Sequence, residues 1–243
     1  MLAAPDSSAV IPYIGTELTV FAAAHRWKAY WASVLRRFVS GDVLDVGAGI
    51  GSNVAPLLSA QVRGWTALEP DPDLVGLMRD ARARGELPQL CRPVVGTLAQ
   101  LPAGDAFDTI LYIDVLEHIR DDRAEAAAAY ARLRPGGRLV VLVPAHQFLF
   151  SPFDAAIGHH RRYNRASLLA LAPAGSRLAL FRMLDSVGFV ASLANKLLLR
   201  AAHPSTGQIR LWDRAMVPIS CIADPLLGYR FGKTAVAVWT RPA

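Results

Sequence analysis

The chain has 243 residues, of which 53% are hydrophobic and 19% are charged, and its formal net charge is +6. This balance excludes an intrinsically disordered chain and allows one α/β domain with a sizeable core. No apolar run reaches the roughly 18 residues that a membrane-spanning helix needs, and no signal peptide is evident at the N-terminus. Cys91 and Cys221 have neither metal-site nor disulfide spacing, so we expect a reducing, cytoplasmic location.

Strands and helices alternate along most of the sequence. After an N-terminal arm at 1–16, apolar residues at helical spacing predict a helix over 17–38. Short apolar strands then alternate with helices, which is typical of a mainly parallel sheet covered on both faces. The predicted strands span 42–46, 63–69, 91–95, 107–113, 137–143, 177–184 and 233–241, and the helices between them span 51–60, 72–84 and 121–133.

The most informative local pattern is a glycine-rich turn between the first strand and the next helix. Asp45 lies near the end of the strand, and Gly47, Gly49 and Gly51 follow at alternate positions. Glycines allow a ligand to approach the backbone closely. Glu69 ends the second strand 22 residues after Gly47, where a carboxylate can accept hydrogen bonds from ribose hydroxyls. The pattern therefore predicts a nucleotide-type ligand.

The same turn departs from a dinucleotide-binding fingerprint at one position. Ser52 stands where that fingerprint has its third glycine. The departure disfavours NAD and leaves room for a single nucleoside with a bulky tail. From these residues alone, a tight turn without any ligand and a surface role for the acid remain alternatives.

Four segments together resemble class I methyltransferases that use S-adenosylmethionine (SAM). They follow that family's order: the glycine turn at 45–51, Glu69, residues 107–118 and residues 133–144. The resemblance implies a single Rossmann-like, doubly wound α/β domain over 1–243. It further implies a seven-stranded, mostly parallel sheet whose last strand, at 233–241, is antiparallel. Within this domain, 1–40 forms the N-terminal arm and helix, and 41–184 forms the SAM-binding core.

The resemblance also assigns the cofactor, SAM, and its product S-adenosylhomocysteine. It implies that the glycine turn lies under the amino-acid tail, that Asp45 reaches the ammonium, and that Glu69 accepts both ribose hydroxyls. The family commonly has an acid where Thr97 stands, so the adenine contact stays open. The expected cofactor-binding residues are Asp45, Gly47, Gly49, Gly51, Glu69, Pro70, Thr97, Leu98 and Asp114.

Two stretches, 144–165 and 185–232, interrupt the alternation of strands and helices. The first begins beyond the carboxyl end of a predicted strand, where open α/β sheets place their ligands. We expect both insertions, together with the N-terminal helix, to cover this edge of the sheet. They are candidate lids on the acceptor side.

Histidines and arginines are concentrated in the first insertion. Histidine can act as a base for a hydroxyl or amine acceptor, and arginine can bind an anionic acceptor through its planar fork. Alternatively, these side chains only hold the lid. Two histidines and an aspartate could also bind a metal, but no closed ligand set is evident, so we predict none. The candidate bases are His118, His146, His159 and His160, and the candidate acceptor-binding residues are Asp154, Arg161, Arg162 and Tyr163.

The expected reaction is methyl transfer to an oxygen or nitrogen of a small or lipid-linked acceptor. An anionic group on this acceptor would suit the arginines of the first insertion. Residues 114–118 lack the Asn- or Asp-Pro-Pro-aromatic motif of nucleobase methyltransferases. The three lysines are poorly placed for the lysine-containing set that is typical of ribose methylation. Similar bacterial methyltransferase-domain proteins are associated with glycan and secondary-metabolite pathways.

The net positive charge admits nucleic acid, anionic lipid or an acidic substrate as a partner. No Lys/Arg tract interleaved with aromatic residues supports nucleic acid, whereas peripheral contact with a membrane stays open. Two other functions also stay open. One is a non-catalytic SAM-binding or scaffold protein, and the other is an RNA-modifying methyltransferase.

Overall fold

Seven strands form one sheet in the computed structural model, which describes residues 24–196 and 206–243. In chain order they are β1 (Gly41–Val46), β2 (Val62–Glu69), β3 (Cys91–Val95), β4 (Phe107–Ile113), β5 (Leu133–Pro144), β6 (Arg177–Leu184) and β7 (Thr234–Thr240). The order across the sheet is β3-β2-β1-β4-β5-β7-β6. β7 pairs antiparallel with β5 and β6, and the other neighbouring pairs are parallel. The predicted seven-stranded, mostly parallel sheet with an antiparallel last strand is confirmed.

Helices connect the strands and cover the sheet. In the described residues they are α1 (His25–Leu35), α2 (Val54–Leu57), α3 (Pro72–Ala83), α4 (Asp122–Ala131), α5 (Pro152–Ala156), α6 (Arg165–Leu169), α7 (Ser186–Ala194), α8 (Thr206–Leu211) and α9 (Val217–Leu226). A π-helical turn, Trp212–Met216, joins α8 to α9. Within the part of the chain that the structure describes, no helix is both long enough and apolar enough to cross a bilayer.

Alternate residues of the central strands face two different apolar layers. In β4, Leu111 belongs to the layer that contains residues of α1 and α3, whereas Ile110 and Tyr112 belong to the layer that contains residues of α4 and α6. Trp65 is buried in the first layer and Trp239 in the second. Both faces of the sheet are therefore covered, as the alternating pattern predicts. α1 packs mainly on a face of the sheet and not only over its carboxyl edge.

The helix predicted over 51–60 is shorter in the structure. Turns occupy residues 49–53, α2 has only four residues, and Leu58 already has an extended backbone. Gly51 adopts φ +79°, which is incompatible with a right-handed helix starting there. Of the helix predicted over 17–38, residues 17–23 lie outside the described residues, and the described part ends in a 3-10 turn, Arg36–Phe38.

A buried aspartate fastens the second insertion to α1. Asp224 in α9 accepts hydrogen bonds from the Tyr30 hydroxyl (2.6 Å) and from the backbone N–H groups of Asp185 (2.7 Å) and Ser186 (2.9 Å). Its side chain is fully buried. Because a buried charge without donors is costly, these three bonds determine how α1, α7 and α9 pack together.

Replacing Asp224 with alanine should destabilise the protein by about 2–4 kcal/mol, because three buried donors lose their acceptor. Urea denaturation followed by circular dichroism measures the free energy of unfolding. The matched control is Tyr30→Phe, which removes one donor and should cost about 1 kcal/mol. Equal costs for the two variants would contradict the central role of the carboxylate.

Candidate active site

The glycine turn after β1 is held closely against the segment that follows β4. Gly47, Gly49 and Gly51 have φ of +66°, +57° and +79°, all in the left-handed region. A Cβ atom on Gly47 would lie 2.6 Å from Cγ2 of Val115. This position therefore requires glycine both for its backbone conformation and for the lack of space.

Glu69 at the end of β2 binds two neighbouring segments through its carboxylate. Oε2 accepts the backbone N–H of Gly49 at 2.8 Å, and Oε1 accepts that of Asp71 at 3.1 Å, across the half-buried Pro70. Burial raises the pKa of Glu69, and these two bonds oppose the increase. Each carboxylate oxygen has a second lone pair. The carboxylate of Glu69 can therefore accept two further hydrogen bonds, which fits the two ribose hydroxyls that the sequence predicts as its ligands.

Asp45 lies in β1, directly before the glycine turn, and is fully buried. Burial raises its pKa to about 7, while the amide of Asn53, at 3.3 Å and 3.4 Å from the two carboxylate oxygens, opposes the increase. Asn53 was not among the predicted site residues, because an amide after a glycine turn has no distinctive spacing. Its contact shows that the turn folds back over the end of β1.

The turn after β3 lies next to Glu69. The backbone N–H of Gly96 donates to the Glu69 carbonyl at 3.0 Å. Thr97 is exposed, and its backbone N–H donates to Oε1 of Gln100 at 2.8 Å, which caps a short 3-10 turn. Leu98 is buried in the second apolar layer. Thr97 and Leu98 thus lie beside the predicted ribose site, as an adenine-binding segment must.

Asp114 follows β4 in a left-handed conformation, with φ +54°. Its side chain is accessible to solvent, yet the protein that surrounds it on other sides raises its pKa to about 6 by desolvation. The positive charges that oppose the increase belong to His159, Lys233, Lys28 and Arg162.

Two of the three lysines therefore lie near Asp114. From the sequence, the lysines were expected to be poorly placed for the lysine-containing set that is typical of ribose methylation. Burial lowers the pKa of Lys28, in α1, to about 8. Burial also lowers the pKa of Lys233, which precedes β7 and pairs with Asp185 at 3.4 Å. Both lysines are far from residue 114 in sequence, so only the folded chain reveals their proximity.

The first insertion is organised around Asp154. Its carboxylate accepts two hydrogen bonds from Arg162, at 2.7 and 2.9 Å, and pairs with Nδ1 of His159 at 3.0 Å. The Ser151 hydroxyl donates to it at 2.7 Å. Burial alone would raise the pKa of Asp154, but these partners hold it well below its usual range. Asp154 is fully buried, so a direct contact with an acceptor is not available to it in this arrangement.

Glu117 and His118 adjoin the other side of His159. Nε2 of His159 is 3.9 Å from Oε1 of Glu117, and the rings of His118 and His159 meet edge to face at 4.6 Å. Glu117 is fully buried, and neither of its carboxylate oxygens has a hydrogen-bond partner among the described residues. Burial and the charge of Asp114 raise its pKa well above its usual value. Glu117 was not a predicted site residue, since nothing in its spacing distinguishes it from a surface carboxylate.

The ligand atoms of Glu117, His118 and His159 all lie within 4.8 Å of one another, a spacing that a metal ion could occupy. This set differs from the two histidines and aspartate considered from the sequence. The absence of a metal requirement stays a prediction. Burial lowers the pKa of His118 to about 4, helped by the charges of His159 and His160, so His118 is neutral at physiological pH.

The remaining candidates of the insertion have structural contacts of their own. Tyr163 is buried, and its hydroxyl donates to Asp122 at 2.7 Å; Arg161 pairs with the same carboxylate at 2.7 Å. A ring nitrogen of His146 lies 2.9 Å from the carbonyl of Gly232. His160 is exposed. Tyr163 therefore holds the insertion and, being buried, does not face an acceptor in this arrangement.

Residues 22–190 match the family model described as a methyltransferase domain. Over 150 residues the chain is 30% identical to a "probable S-adenosylmethionine-dependent methyltransferase" of Mycolicibacterium smegmatis, covering 60% of this chain and 55% of that protein. Over 110 residues it is 37% identical to a ubiquinone biosynthesis O-methyltransferase of Paramagnetospirillum magneticum, covering 43% of this chain and 41% of that protein. The chain thus spans about half the length of the curated relatives it matches.

Solved structures share the fold at low sequence identity. The [4+2]-cyclase SpnF matches with a TM-score of 0.61 and 20% identity over 88% of this chain and 81% of its own. The N-methyltransferase NodS of Bradyrhizobium japonicum, crystallised with S-adenosylhomocysteine, matches with a TM-score of 0.57 and 14% identity over 91% of this chain and 89% of its own. These likenesses support the fold alone, and the name of the cyclase illustrates that one fold serves different reactions.

Gly47→Ala should abolish S-adenosylhomocysteine binding and destabilise the protein by more than the roughly 1–2 kcal/mol of a left-handed alanine, because its Cβ meets Val115. The matched control is Gly85→Ala, at φ +77° with no atom within 4 Å of the new Cβ, which should cost only the backbone strain. Calorimetry and urea denaturation measure both quantities. Equal destabilisation in the two variants would show that the clash with Val115 is unimportant.

The raised pKa of Asp45 has a consequence for stability. A group whose pKa rises on folding, from 3.8 to about 7, stabilises the folded state fully below the lower value and loses that contribution as the pH rises through about 7. Asp45→Asn removes the titration. Without ligand, the wild type should therefore lose stability relative to Asp45→Asn between about pH 4 and 8, as urea midpoints report. Parallel pH profiles would contradict the assignment.

Proposed function

Because this chain belongs to the methyltransferase-domain family and is a SAM-dependent methyltransferase, we propose that it methylates an oxygen atom of a small or lipid-linked acceptor. The observation that carries the proposal is His159, which Asp154 holds at Nδ1 and which lies near enough to the exposed Asp114 for the two side chains to interact. The names of the ubiquinone biosynthesis O-methyltransferases among the relatives support the same choice of acceptor atom.

On the donor side, we assign the ribose hydroxyls to Glu69, the amino-acid tail to the glycine turn at 47–51 and the adenine to the turn containing Thr97 and Leu98. For the ammonium we assign the exposed Asp114 directly and the fully buried Asp45 through a water molecule. SAM supplies, when bound, an electrophilic methyl group on a sulfonium with a good leaving group. The residues of the chain therefore have to align the acceptor with that methyl group and exclude water.

A hydroxyl acceptor needs a base, and His159 suits this role best among the four candidate histidines. Asp154 accepts the N–H at Nδ1, which leaves the lone pair on Nε2 free to take the proton of the acceptor. The charge that develops on the imidazole is offset by the carboxylate of Asp154, which stays ionised because its pKa is low. Asp154 is thus a positioning residue for His159.

The other three histidines are less suited to proton transfer. With a pKa of about 4, His118 is a weak base at neutral pH. A ring nitrogen of His146 is engaged by the Gly232 carbonyl, and burial lowers the pKa of its ring. His160 is exposed, and its backbone N–H donates to the Glu117 carbonyl, which makes it a part of the insertion's framework.

The surroundings of His159 favour an acceptor with a polar and an apolar part. Arg162 uses Nε and one terminal nitrogen on Asp154, so its other terminal nitrogen can donate to an oxygen of the acceptor. Phe148 is half exposed and its ring lies 5.1 Å from that of His146, which in turn lies 4.8 Å from Phe189. This aromatic group suits a ring or a lipid chain.

Two variants should separate donor binding from catalysis. Glu69→Gln should weaken S-adenosylhomocysteine binding by on the order of 1.5–3 kcal/mol in calorimetry, because a charged acceptor of hydrogen bonds is lost. His159→Gln should leave that affinity unchanged and lower kcat by roughly 10²–10⁴-fold. Turnover is measured by incubating cell extracts with labelled SAM and identifying the labelled product by mass spectrometry, which should find an O-methyl group.

The control for the second variant is His160→Gln, which changes the adjacent, exposed histidine and should retain most of the turnover. A product methylated at nitrogen would overturn the choice of oxygen. Binding of S-adenosylhomocysteine without any labelled product would favour the non-catalytic alternative. Steeply salt-dependent RNA binding together with labelled RNA would favour the RNA-modifying alternative.

A further inference from the structure

The helix α9 has polar side chains facing the protein and apolar side chains facing outward. Its polar residues Ser220 and Asp224 face the protein, where both are fully buried and hydrogen-bonded. Its outward face carries Ile219, Ile222 and Leu226, which are 56%, 69% and 82% exposed. The usual amphipathic helix of a water-soluble domain has the opposite arrangement. The outward apolar face of α9 is therefore a feature to be explained by a partner.

Neighbouring elements extend this apolar surface. Leu227 and Phe231, which follow α9, are 44% and 53% exposed. On α8, Leu211 is 57% exposed, and on α7, which packs against α9, Val190 is 62% exposed. The exposed residues of α9 itself are all uncharged. Such a surface has no side chain with which to bind a polar partner strongly.

The exposed charged side chains of the segment that carries this apolar face are all basic among the described residues. The segment 186–232 contains only two acidic residues, Asp213 and Asp224. Both are buried and accept hydrogen bonds from this chain. Of the exposed charged side chains in the described part of this segment, Lys196 donates to the carbonyl of Phe148. The other three, Arg210, Arg214 and Arg230, flank α9 in the chain and make up its cationic rim. Arg26 of α1 donates to the carbonyl of Arg214 at 3.4 Å.

We propose that the outward face of α9, with its cationic rim, docks the protein onto the surface of an anionic lipid bilayer. An interfacial helix needs an apolar face that enters the headgroup region and basic residues that meet anionic lipids, and this surface offers both. A second copy of the chain on this face would bring positive charges of both copies together, whereas anionic lipid headgroups complement them. The docking does not rest on the proposed acceptor, because none of the apolar residues of this surface is assigned to the donor or the acceptor side.

The test is sedimentation of the purified full chain with phosphatidylcholine vesicles that contain or lack phosphatidylglycerol, without any acceptor. The wild type should bind the anionic vesicles, and added salt should weaken the binding. The double variant Ile219→Asp, Ile222→Asp should bind on the order of tenfold or more weakly, since two exposed isoleucines that would enter the bilayer are replaced by acids. The double variant Arg210→Ala, Arg214→Ala should lose the preference for anionic over neutral vesicles.

The matched control is Leu77→Asp, which places an acid at a leucine of similar exposure (55%) on α3 and should leave vesicle binding unchanged. Circular dichroism and S-adenosylhomocysteine binding show that each variant is folded. Failure of the wild type to bind anionic vesicles, or equal binding by the double isoleucine variant, would overturn the proposal. So would light scattering that shows a dimer which Ile219→Asp, Ile222→Asp converts to a monomer, because a second copy would then cover the face. These readouts are independent of methyl transfer.

Discussion

The ends of β1, β2 and β3 depend on the hydrogen bonds that converge on Glu69. Its carboxylate joins the turn after β1 to the start of α3, and its carbonyl accepts the N–H of Gly96 after β3. One residue thus fixes three neighbouring strand ends before a ligand arrives, which lowers the cost of ordering them on binding. Asp154 likewise joins segments of the first insertion through hydrogen bonds to its carboxylate. None of the partners of Glu69 is among the residues that Asp154 contacts. The hydrogen bonds that hold the glycine turn and those that hold the first insertion are therefore separate.

The parts of the protein that follow from local patterns were predictable. The strands follow from apolar runs, and the left-handed glycines and the strand-ending Glu69 follow from the spacing of a single βαβ unit. The glycine turn and Glu69 contact residues at the ends of neighbouring strands, so the order of the strands determines where they lie in the fold. The antiparallel β7 followed from the family resemblance and not from its own residues, which are as apolar as those of a parallel strand.

The acceptor side was less predictable, because its contacts join segments far apart in sequence. Tyr163 binds Asp122, 41 residues away in sequence, and Lys28 acts on Asp114 although it precedes it by 86 residues. Asp154 lies in a polar stretch that indicates a surface, yet it is fully buried. No periodicity distinguishes a polar residue that is satisfied in the interior from one that is solvated. Geometry was needed to separate the side chains that hold the first insertion together from the histidine that we propose as the base.

The position of β7 has a consequence for how the chain folds during synthesis. β7 lies between β5 and β6 in the sheet, so these two strands do not pair with each other. Until residues 234–240 leave the ribosome, β5 and β6 each present an unpaired edge, and the sheet stops at five parallel strands. The sheet is completed when β7 pairs with the edges of both β5 and β6. Chains shortened before that strand are left with open edges that invite aggregation.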